Sequence, residues 1–218
     1  VAQTVREAAR FGVDAHIDDV RWSDIVSRIF GRIDPLSDGG RNYRQASPNV
    51  TVYDSHTRFA GRADGRYRLR TDNGEEFTAD QVVIAAGSRA MVPEAIAGCG
   101  VDFHTSDTVM RMAELPRRLA ILGGGFIGCE FAHVFSAYGV EVTQIHRHPT
   151  LLNHHDDEVA SRFTSIVADQ WSLRLHSEIT EVAPAEGGIA VTVTSADGRA
   201  EVIEVDALLL AVGRTPNT

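Results

Sequence analysis

A glycine-rich segment between an apolar strand and an amphipathic helix constrains this chain more than any other feature. Residues 119–122 are Leu-Ala-Ile-Leu, and glycines follow at 123, 125 and 128 in the spacing G-x-G-x-x-G. In this spacing Gly123 would make a tight turn, Gly125 would let the backbone approach a pyrophosphate, and Gly128 would let a helix pack closely on the strand. The helix N-terminus would then present free N–H groups and its positive dipole end to the phosphates. The segment therefore predicts a dinucleotide-binding β-α-β unit.

The flanking residues support this interpretation, which the glycine spacing alone would leave weak. Residues 119–122 have the length and apolar character of a buried parallel strand. After the glycines, apolar residues recur at helical spacing up to Tyr138, and Gly139 lies where a helix C-cap is expected. A second strand at 140–145 closes the unit within about 30 residues.

The end of that second strand bears on which dinucleotide is bound. Sites that prefer the unphosphorylated cofactor place Asp or Glu about 20 residues after the first glycine, where the carboxylate bonds the ribose 2′-hydroxyl. This chain has His146-Arg147-His148 there, with no carboxylate. Arginine beside histidines suits a 2′-phosphate, which an acid would repel. The pattern favours NADPH over NADH, and the alternative is that Arg147 is a solvated loop cation.

Charge and composition exclude several classes of partner. The formal net charge of −9 argues against nucleic acid or an anionic membrane as a partner. No apolar run approaches the roughly 20 residues of a membrane helix, and the N-terminus lacks a signal-peptide layout, so we expect a cytoplasmic protein without a membrane partner.

Cys99 and Cys129 form no C-x-x-C motif and are expected to be plain thiols. Adjacent histidines at 154 and 155 are more often solvated than metal-bound, so no metal site is expected.

The order of predicted elements indicates an α/β fold built from two similar parts. The first part has helical periodicity up to about residue 45, interrupted at Gly12 and 35–40, and then short strands at 50–53, 56–60, 67–71, 76–78 and 81–86. The second part follows the β-α-β unit with a helix at 156–169 and strands at 173–176, 189–194, 200–205 and 207–212. Each part ends in an apolar strand followed by glycine, which suggests two related nucleotide-binding domains.

Five stretches together carry a resemblance to a known family: 10–18, 81–89, 104–111, 125–135 and the terminal Gly-Arg-x-Pro-Asn. In combination they resemble the flavoprotein pyridine nucleotide-disulfide reductases, which include glutathione reductase and lipoamide dehydrogenase. The resemblance implies FAD and NADP as cofactors of an NADPH-dependent disulfide oxidoreductase. It also implies two Rossmann-like domains, each with a parallel sheet and an antiparallel meander. These would be an incomplete FAD-binding domain over 1–115 and an NAD(P)H-binding domain over 116–218.

The resemblance also implies roles for residues around the nicotinamide nucleotide. Phe126 would match the aromatic lid over the nicotinamide pocket, usually tyrosine, and Ile127 the residue beside it. Glu130 would match the acid that touches the carboxamide and pairs with a lysine near the flavin; the alternative is an acid stabilised by the helix dipole. Arg147 would match the first of two arginines that hold the 2′-phosphate. Asn153 stands in place of the second, which weakens the preference for NADPH.

Six further residues are assigned to the two cofactors by the same resemblance. Gly213 and Arg214 would match the loop that closes the nicotinamide nucleotide site. His56 and Thr57 would lie near the flavin adenine through backbone contacts, and the pair Ala86 and Gly87 would form the turn against FAD.

Family members also carry segments that this chain does not contain. These are a first glycine fingerprint for FAD, a redox-active C-x-x-x-x-C pair with a lysine, and a C-terminal interface domain that supplies a His-Glu pair. We therefore expect an internal fragment with no catalytic residues of its own, inactive alone as a disulfide reductase. A small-molecule disulfide substrate and a homodimer are expected only of the full-length enzyme. The alternatives are another reductase of this superfamily, for disulfides or quinones, and a truncated, non-catalytic nucleotide-binding chain.

Overall fold

The computed structural model describes residues 1–218, which form two compact units. Residues 1–25 and 88–217 make up the larger unit, and residues 26–87 the smaller one. The α-helices are α1 (Ala2–Arg6), α2 (Trp22–Ala46), α3 (Phe126–Ala137) and α4 (Asp157–Val167), with 3₁₀ turns at Ala8–Phe11 and Val109–Arg111. None of these helices has both the length and the apolar character that a membrane crossing requires.

Thirteen strands form four sheets, three of them in the larger unit. The strands of the smaller unit are β1 (Thr57–Ala63), β2 (Arg66–Thr71) and β3 (Glu76–Ala79). Those of the larger unit are β4 (Ser88–Ala90), β5 (His104–Thr105), β6 (Arg118–Leu122), β7 (Glu141–Ile145), β8 (Ser172–Arg174), β9 (Ser177–Ala185), β10 (Gly188–Ser195), β11 (Ala200–Val205), β12 (Ala207–Leu210) and β13 (Arg214–Pro216).

A five-stranded parallel sheet, in the order β5-β12-β6-β7-β8, is the centre of the larger unit. Both faces of a parallel sheet are covered, so its central strand must be apolar. In β6, Leu119, Ala120 and Ile121 are accordingly fully buried. The chain passes from β6 through α3 into β7, and Gly139, with a φ of 91°, adopts the left-handed conformation that ends a helix. The predicted β-α-β unit is confirmed.

An antiparallel meander, β9 to β11, packs its inner face on this parallel sheet. Alternation with a period of two brings Ile189, Val191 and Val193 into one buried cluster with Leu208 and Leu210 of β12. Strand β9 was absent from the sequence prediction, which placed only two strands in this meander. The α/β fold class, with a parallel sheet and antiparallel meanders, is confirmed.

The smaller unit contains most of α2 and the antiparallel sheet β1-β2-β3. Asp64 and Gly65 both have positive φ, 50° and 79°, as a two-residue hairpin turn requires. Tyr53, which precedes the strands, stacks on Phe77 of β3 with ring centroids 4.1 Å apart. Asp64 and Gly65 thus connect β1 to β2, which pair antiparallel with a register irregularity between Phe59 and Gly61.

Three local predictions for the first part of the chain were wrong. Residues 50–53 and 81–86 are not strands. A β-strand needs a neighbouring strand to complete its backbone hydrogen bonds. No strand pairs with residues 81–86. Their side chains are therefore left in solvent, and Val83 is 88% and Ile84 62% exposed. The α2 helix runs through Pro35, although proline removes one backbone donor.

The proposed domain boundary near residue 115 stays a prediction, since contacts within this chain group residues 88–115 with the second part.

Asp206 joins the beginnings of two parallel strands and makes the stability of the larger unit depend on pH. Its carboxylate accepts hydrogen bonds from the backbone N–H groups of Arg117 and Arg118, each at 2.9 Å, and from the Arg118 guanidinium at 2.8 Å. Burial raises the pKa of Asp206, but the hydrogen bonds and charge of Arg118 outweigh this effect, and the pKa lies below its ordinary value. The ionised carboxylate therefore stabilises the fold.

We expect Asp206→Asn to lower the Tm at pH 7 by several degrees, because both the charge and one acceptor oxygen are lost. A pKa that is depressed in the fold stabilises it above the unfolded-state value, about 3.9, and this contribution disappears as the pH falls through the folded value. The difference in Tm between the variant and the wild type should therefore narrow below about pH 4. Thermal unfolding from pH 7 to pH 3 measures it, with Asp169→Asn, at an exposed position, as the control. A difference that stays constant over this range would contradict the assignment.

Candidate dinucleotide-binding site

Two of the three fingerprint glycines are enclosed by backbone atoms. Gly123 has a φ of 126°, and a Cβ built there would lie 2.2 Å from the carbonyl oxygen of Ala211. A Cβ on Gly128 would lie 2.4 Å from the carbonyl oxygen of Gly123. Real Cβ atoms do not approach backbone atoms so closely, so only glycine fits at these positions. Gly123 thus makes the tight turn and Gly128 allows α3 to pack against it.

Gly125 differs from the other two because it faces open space. It is exposed, and a Cβ built on it meets no atom within 4 Å. It is the N-cap of α3, with a φ of −79° and a ψ of 178°. The first N–H groups of a helix have no partner within the helix, so the turn presents backbone donors beside a space that a phosphate group can enter.

The side chains that follow Gly125 lie at the start of α3. Phe126 is 63% exposed, Ile127 is half-buried and Glu130 is exposed. An exposed ring of this size at the mouth of a glycine turn is available to cover a flat ligand. Glu130 lies four residues after the first residue of the helix, beyond its first turn, so the helix dipole stabilises it only weakly.

Strand β7 ends in a cluster of basic side chains. The Arg147 Nε donates to His148 Nε2 at 3.3 Å, and the rings of His146 and His148 lie 5.1 Å apart. His146 packs on the glycine turn, because a Cβ on Gly124 would lie 2.5 Å from its ring. Burial lowers the pKa of His146, and the neighbouring charges of His148 and Arg147 lower it further. The exposed cation of this cluster is therefore Arg147, beside a half-buried His148.

A short loop after β7 is fixed to the glycine turn, which the sequence analysis missed. Leu151 is fully buried and its N–H donates to Thr164 Oγ1 at 3.0 Å. Leu152 has a φ of 54° and donates its N–H to the Gly124 carbonyl at 2.7 Å. A positive φ in a bulky residue costs of the order of 1–3 kcal/mol and persists only where the surroundings impose it. The adjacent Asn153 consequently reaches His146 Nε2, with its Oδ1 at 3.1 Å.

The loop after β12 lies beside the glycine turn. The N–H of Ala211 donates to the Leu122 carbonyl at 2.8 Å, and Gly213 follows with a φ of 141°. The guanidinium of Arg214 is already engaged within the larger unit: it donates to Ser88 Oγ at 2.8 Å, to Ser106 Oγ at 2.9 Å and to Asp107 Oδ1 at 3.1 Å. In this arrangement Arg214 holds the loop in place.

The predicted flavin contacts lie in the smaller unit. The His56 carbonyl accepts the N–H of Asp72 at 2.9 Å, and Thr57 begins β1. Ala86 and Gly87 are exposed, and Gly87 has a φ of 67°. The ten nicotinamide-side residues, by contrast, all belong to the larger unit. The role of His56, Thr57, Ala86 and Gly87 toward FAD stays a prediction.

Gln144 is a second feature of this site that the sequence analysis missed. It lies in β7, directly before Ile145, and its side chain is fully buried. Buried glutamine is uncommon unless it is hydrogen-bonded. The signal was available in the sequence, since this glutamine lies in the strand predicted at 140–145, and the strands of a parallel sheet are covered on both faces.

Comparison with known proteins identifies the family of the chain. The family model for pyridine nucleotide-disulphide oxidoreductases matches residues 3–218. The chain belongs to this family. Mycothione reductase of Mycobacterium tuberculosis is 56% identical over 218 residues, which are 100% of this chain and 47% of that relative. Glutathione reductase of Burkholderia cepacia is 31% identical over 217 residues, 99% of this chain and 46% of that relative.

A solved structure supports the same membership of the pyridine nucleotide-disulphide oxidoreductases. The HOCl-induced flavoprotein disulfide reductase from Escherichia coli superposes with a TM-score of 0.78 at 26% identity, covering 100% of this chain and 47% of that one. The resemblance to this family that the motifs indicated is thus confirmed. This pyridine nucleotide-disulphide oxidoreductase chain spans about half the length of the relatives that it matches.

Proposed function

We propose that this chain is the NADPH-binding portion of an FAD-dependent mycothione reductase. The observation that carries the proposal is the open backbone at Gly125, which lies between two glycines enclosed by backbone atoms. This is the arrangement that a pyrophosphate needs at a helix N-terminus. The disulfide specificity is supported by the 56% identity to mycothione reductase of Mycobacterium tuberculosis.

In this proposal the contacts to NADPH come from the larger unit. Gly125 and the first N–H groups of α3 receive the pyrophosphate, and Arg147 with His148 holds the 2′-phosphate. Phe126 and Ile127 cover the nicotinamide, Glu130 approaches its carboxamide, and the backbone at Gly213 and Arg214 closes the opposite side. When bound, NADPH would supply a hydride for the flavin, and the two electrons would finally reduce a disulfide to thiols.

The remaining parts of the proposal concern the whole protein. They are FAD held with the help of the four predicted contacts, a small-molecule disulfide as substrate, a homodimer and a cytoplasmic location. Within this proposal Cys129 takes no part in the redox chemistry. Cys129 is 5% exposed, and burial raises the pKa of its thiol, which disfavours the reactive thiolate.

Arg147 provides the test of NADPH binding. We expect the chain to bind 2′,5′-ADP more tightly than AMP, because only the former carries the 2′-phosphate. Arg147→Gln should weaken 2′,5′-ADP about tenfold or more, the usual value of a hydrogen bond between charged groups, and leave AMP unchanged. Isothermal titration of both ligands measures the difference.

Arg162 offers a matched control, since it is an exposed arginine of α4 and Arg162→Gln removes the same charge. This variant should retain the wild-type ratio of affinities. Equal affinity of the wild-type chain for the two ligands would refute the assignment of Arg147, and failure to bind either ligand would refute the nucleotide site.

A further inference from the structure

A fully buried glutamine lies beneath the glycine turn. Gln144 Nε2 donates to the Gly123 carbonyl at 2.9 Å, and Gln144 Oε1 accepts from Trp171 Nε1 at 2.9 Å. The Cys129 Sγ is 3.7 Å from the same Nε2. The amide therefore connects the turn, the first turn of α3 and the segment that follows α4.

The orientation of this amide follows from its partners. The indole Nε1 of Trp171 can only donate, so the oxygen of Gln144 must face it. The NH₂ group is then directed at the Gly123 carbonyl, which can only accept. Trp171 is 6% exposed, so that water does not compete for this contact. The two hydrogen bonds select one orientation of the amide and exclude the flipped one.

The Gly123 carbonyl controls the direction of the turn. It accepts a hydrogen bond from Gln144, and a Cβ built on Gly128 would lie 2.4 Å from it. Because a peptide group is planar and trans, the N–H of Gly124 must point in the direction opposite to the Gly123 oxygen. A rotation of this peptide would move the donors of the turn and change the backbone that leads into Gly125.

We propose that Gln144 is a positioning residue that holds the peptide between Gly123 and Gly124 in the orientation that binds a pyrophosphate. Gln144 makes no contact with the ligand and acts through the turn. The proposal rests on the NADPH-binding function proposed above. Trp171 contributes indirectly, because it prevents the amide from turning its oxygen toward the Gly123 carbonyl.

Comparing the affinities for two ligands distinguishes this positioning role from a general loss of stability. NADP⁺ contains the pyrophosphate, whereas 2′-AMP carries the 2′-phosphate without it. Gln144→Met keeps the size of the side chain and removes the donor. We expect it to weaken NADP⁺ about tenfold and to change the affinity for 2′-AMP by less than about twofold. Titration is done well below the Tm, which is measured for each variant.

Two variants complete the experiment. Cys129→Ala removes the sulfur contact and keeps the Gln144–Gly123 hydrogen bond, so its affinity for NADP⁺ should equal that of the wild type. Trp171→Phe removes the indole donor together with part of the ring and should weaken NADP⁺ by a smaller factor than Gln144→Met. It decides the question if Gln144→Met does not fold.

The outcomes distinguish the two proposals. If the wild-type chain does not bind NADP⁺, the NADPH-binding function itself fails. If the wild type binds and the Gln144 and Trp171 variants bind NADP⁺ equally well, or lose NADP⁺ and 2′-AMP to the same extent, the positioning role is wrong.

Discussion

Gly128→Ala is expected to lower the free energy of unfolding of the larger unit by about 3 kcal/mol or to prevent its folding, the upper range for overpacking a core. The added Cβ would lie 2.4 Å from the Gly123 carbonyl oxygen and 3.1 Å from Gln144 Nε2. Neither atom can yield easily, because they are hydrogen-bonded to each other in the interior. Gly123→Ala should lower the free energy of unfolding at least as much. The new Cβ would lie 2.2 Å from the Ala211 carbonyl oxygen, and alanine would also be forced into a backbone conformation, with a φ of 126°, that favours glycine.

Tryptophan fluorescence during urea unfolding measures this effect, because both tryptophans, Trp22 and Trp171, are buried in the larger unit. Gly187→Ala is the matched control: a Cβ at Gly187 meets no atom within 4 Å, and its unfolding free energy should change by less than about 0.5 kcal/mol. If Gly128→Ala unfolds at the same urea concentration as Gly187→Ala, the close packing of α3 on the turn is not a requirement of the fold.

Gly125→Val is expected to leave the fold nearly normal and to weaken dinucleotide binding strongly. The backbone of Gly125 is extended, with a φ of −79° and a ψ of 178°, so that any residue can adopt it, and the new side chain would stand in open space. Valine is a poorer N-cap than glycine, which costs less than about 1 kcal/mol. The same side chain occupies the space proposed for the pyrophosphate, so we expect NADP⁺ to bind at least about 100-fold more weakly, or about 2.7 kcal/mol.

Titration of NADP⁺ together with thermal unfolding tests this prediction. Gly187→Val serves as the control for a valine in open space elsewhere in the larger unit, and it should bind NADP⁺ like the wild type. Wild-type affinity in Gly125→Val would show that the pyrophosphate does not approach this position. A large loss of stability would show instead that the space in front of Gly125 is needed for folding.

Local patterns predicted the β-α-β unit well. An apolar strand, glycines at fixed spacing and a helix with a glycine C-cap each depend on neighbours within a few residues, so the bounds of β6, α3 and β7 followed directly from the sequence. The prediction of strands failed where a neighbouring strand was required for pairing. The apolar residues 81–86 have the composition of a buried strand, yet composition does not supply the neighbouring strand that would pair with them.

The sequence by itself determined the dinucleotide fingerprint, the absence of an acid at the end of β7 and the family of the chain, since these are properties of residue type and spacing. The tertiary structure alone decided that Gln144 donates to Gly123, 21 residues away, and that Arg214 donates to Ser106, 108 residues away. It also decided which glycines are enclosed and that Gly125 is open. Contacts of this kind depend on how distant segments are brought together by the sheet, and no local periodicity encodes them.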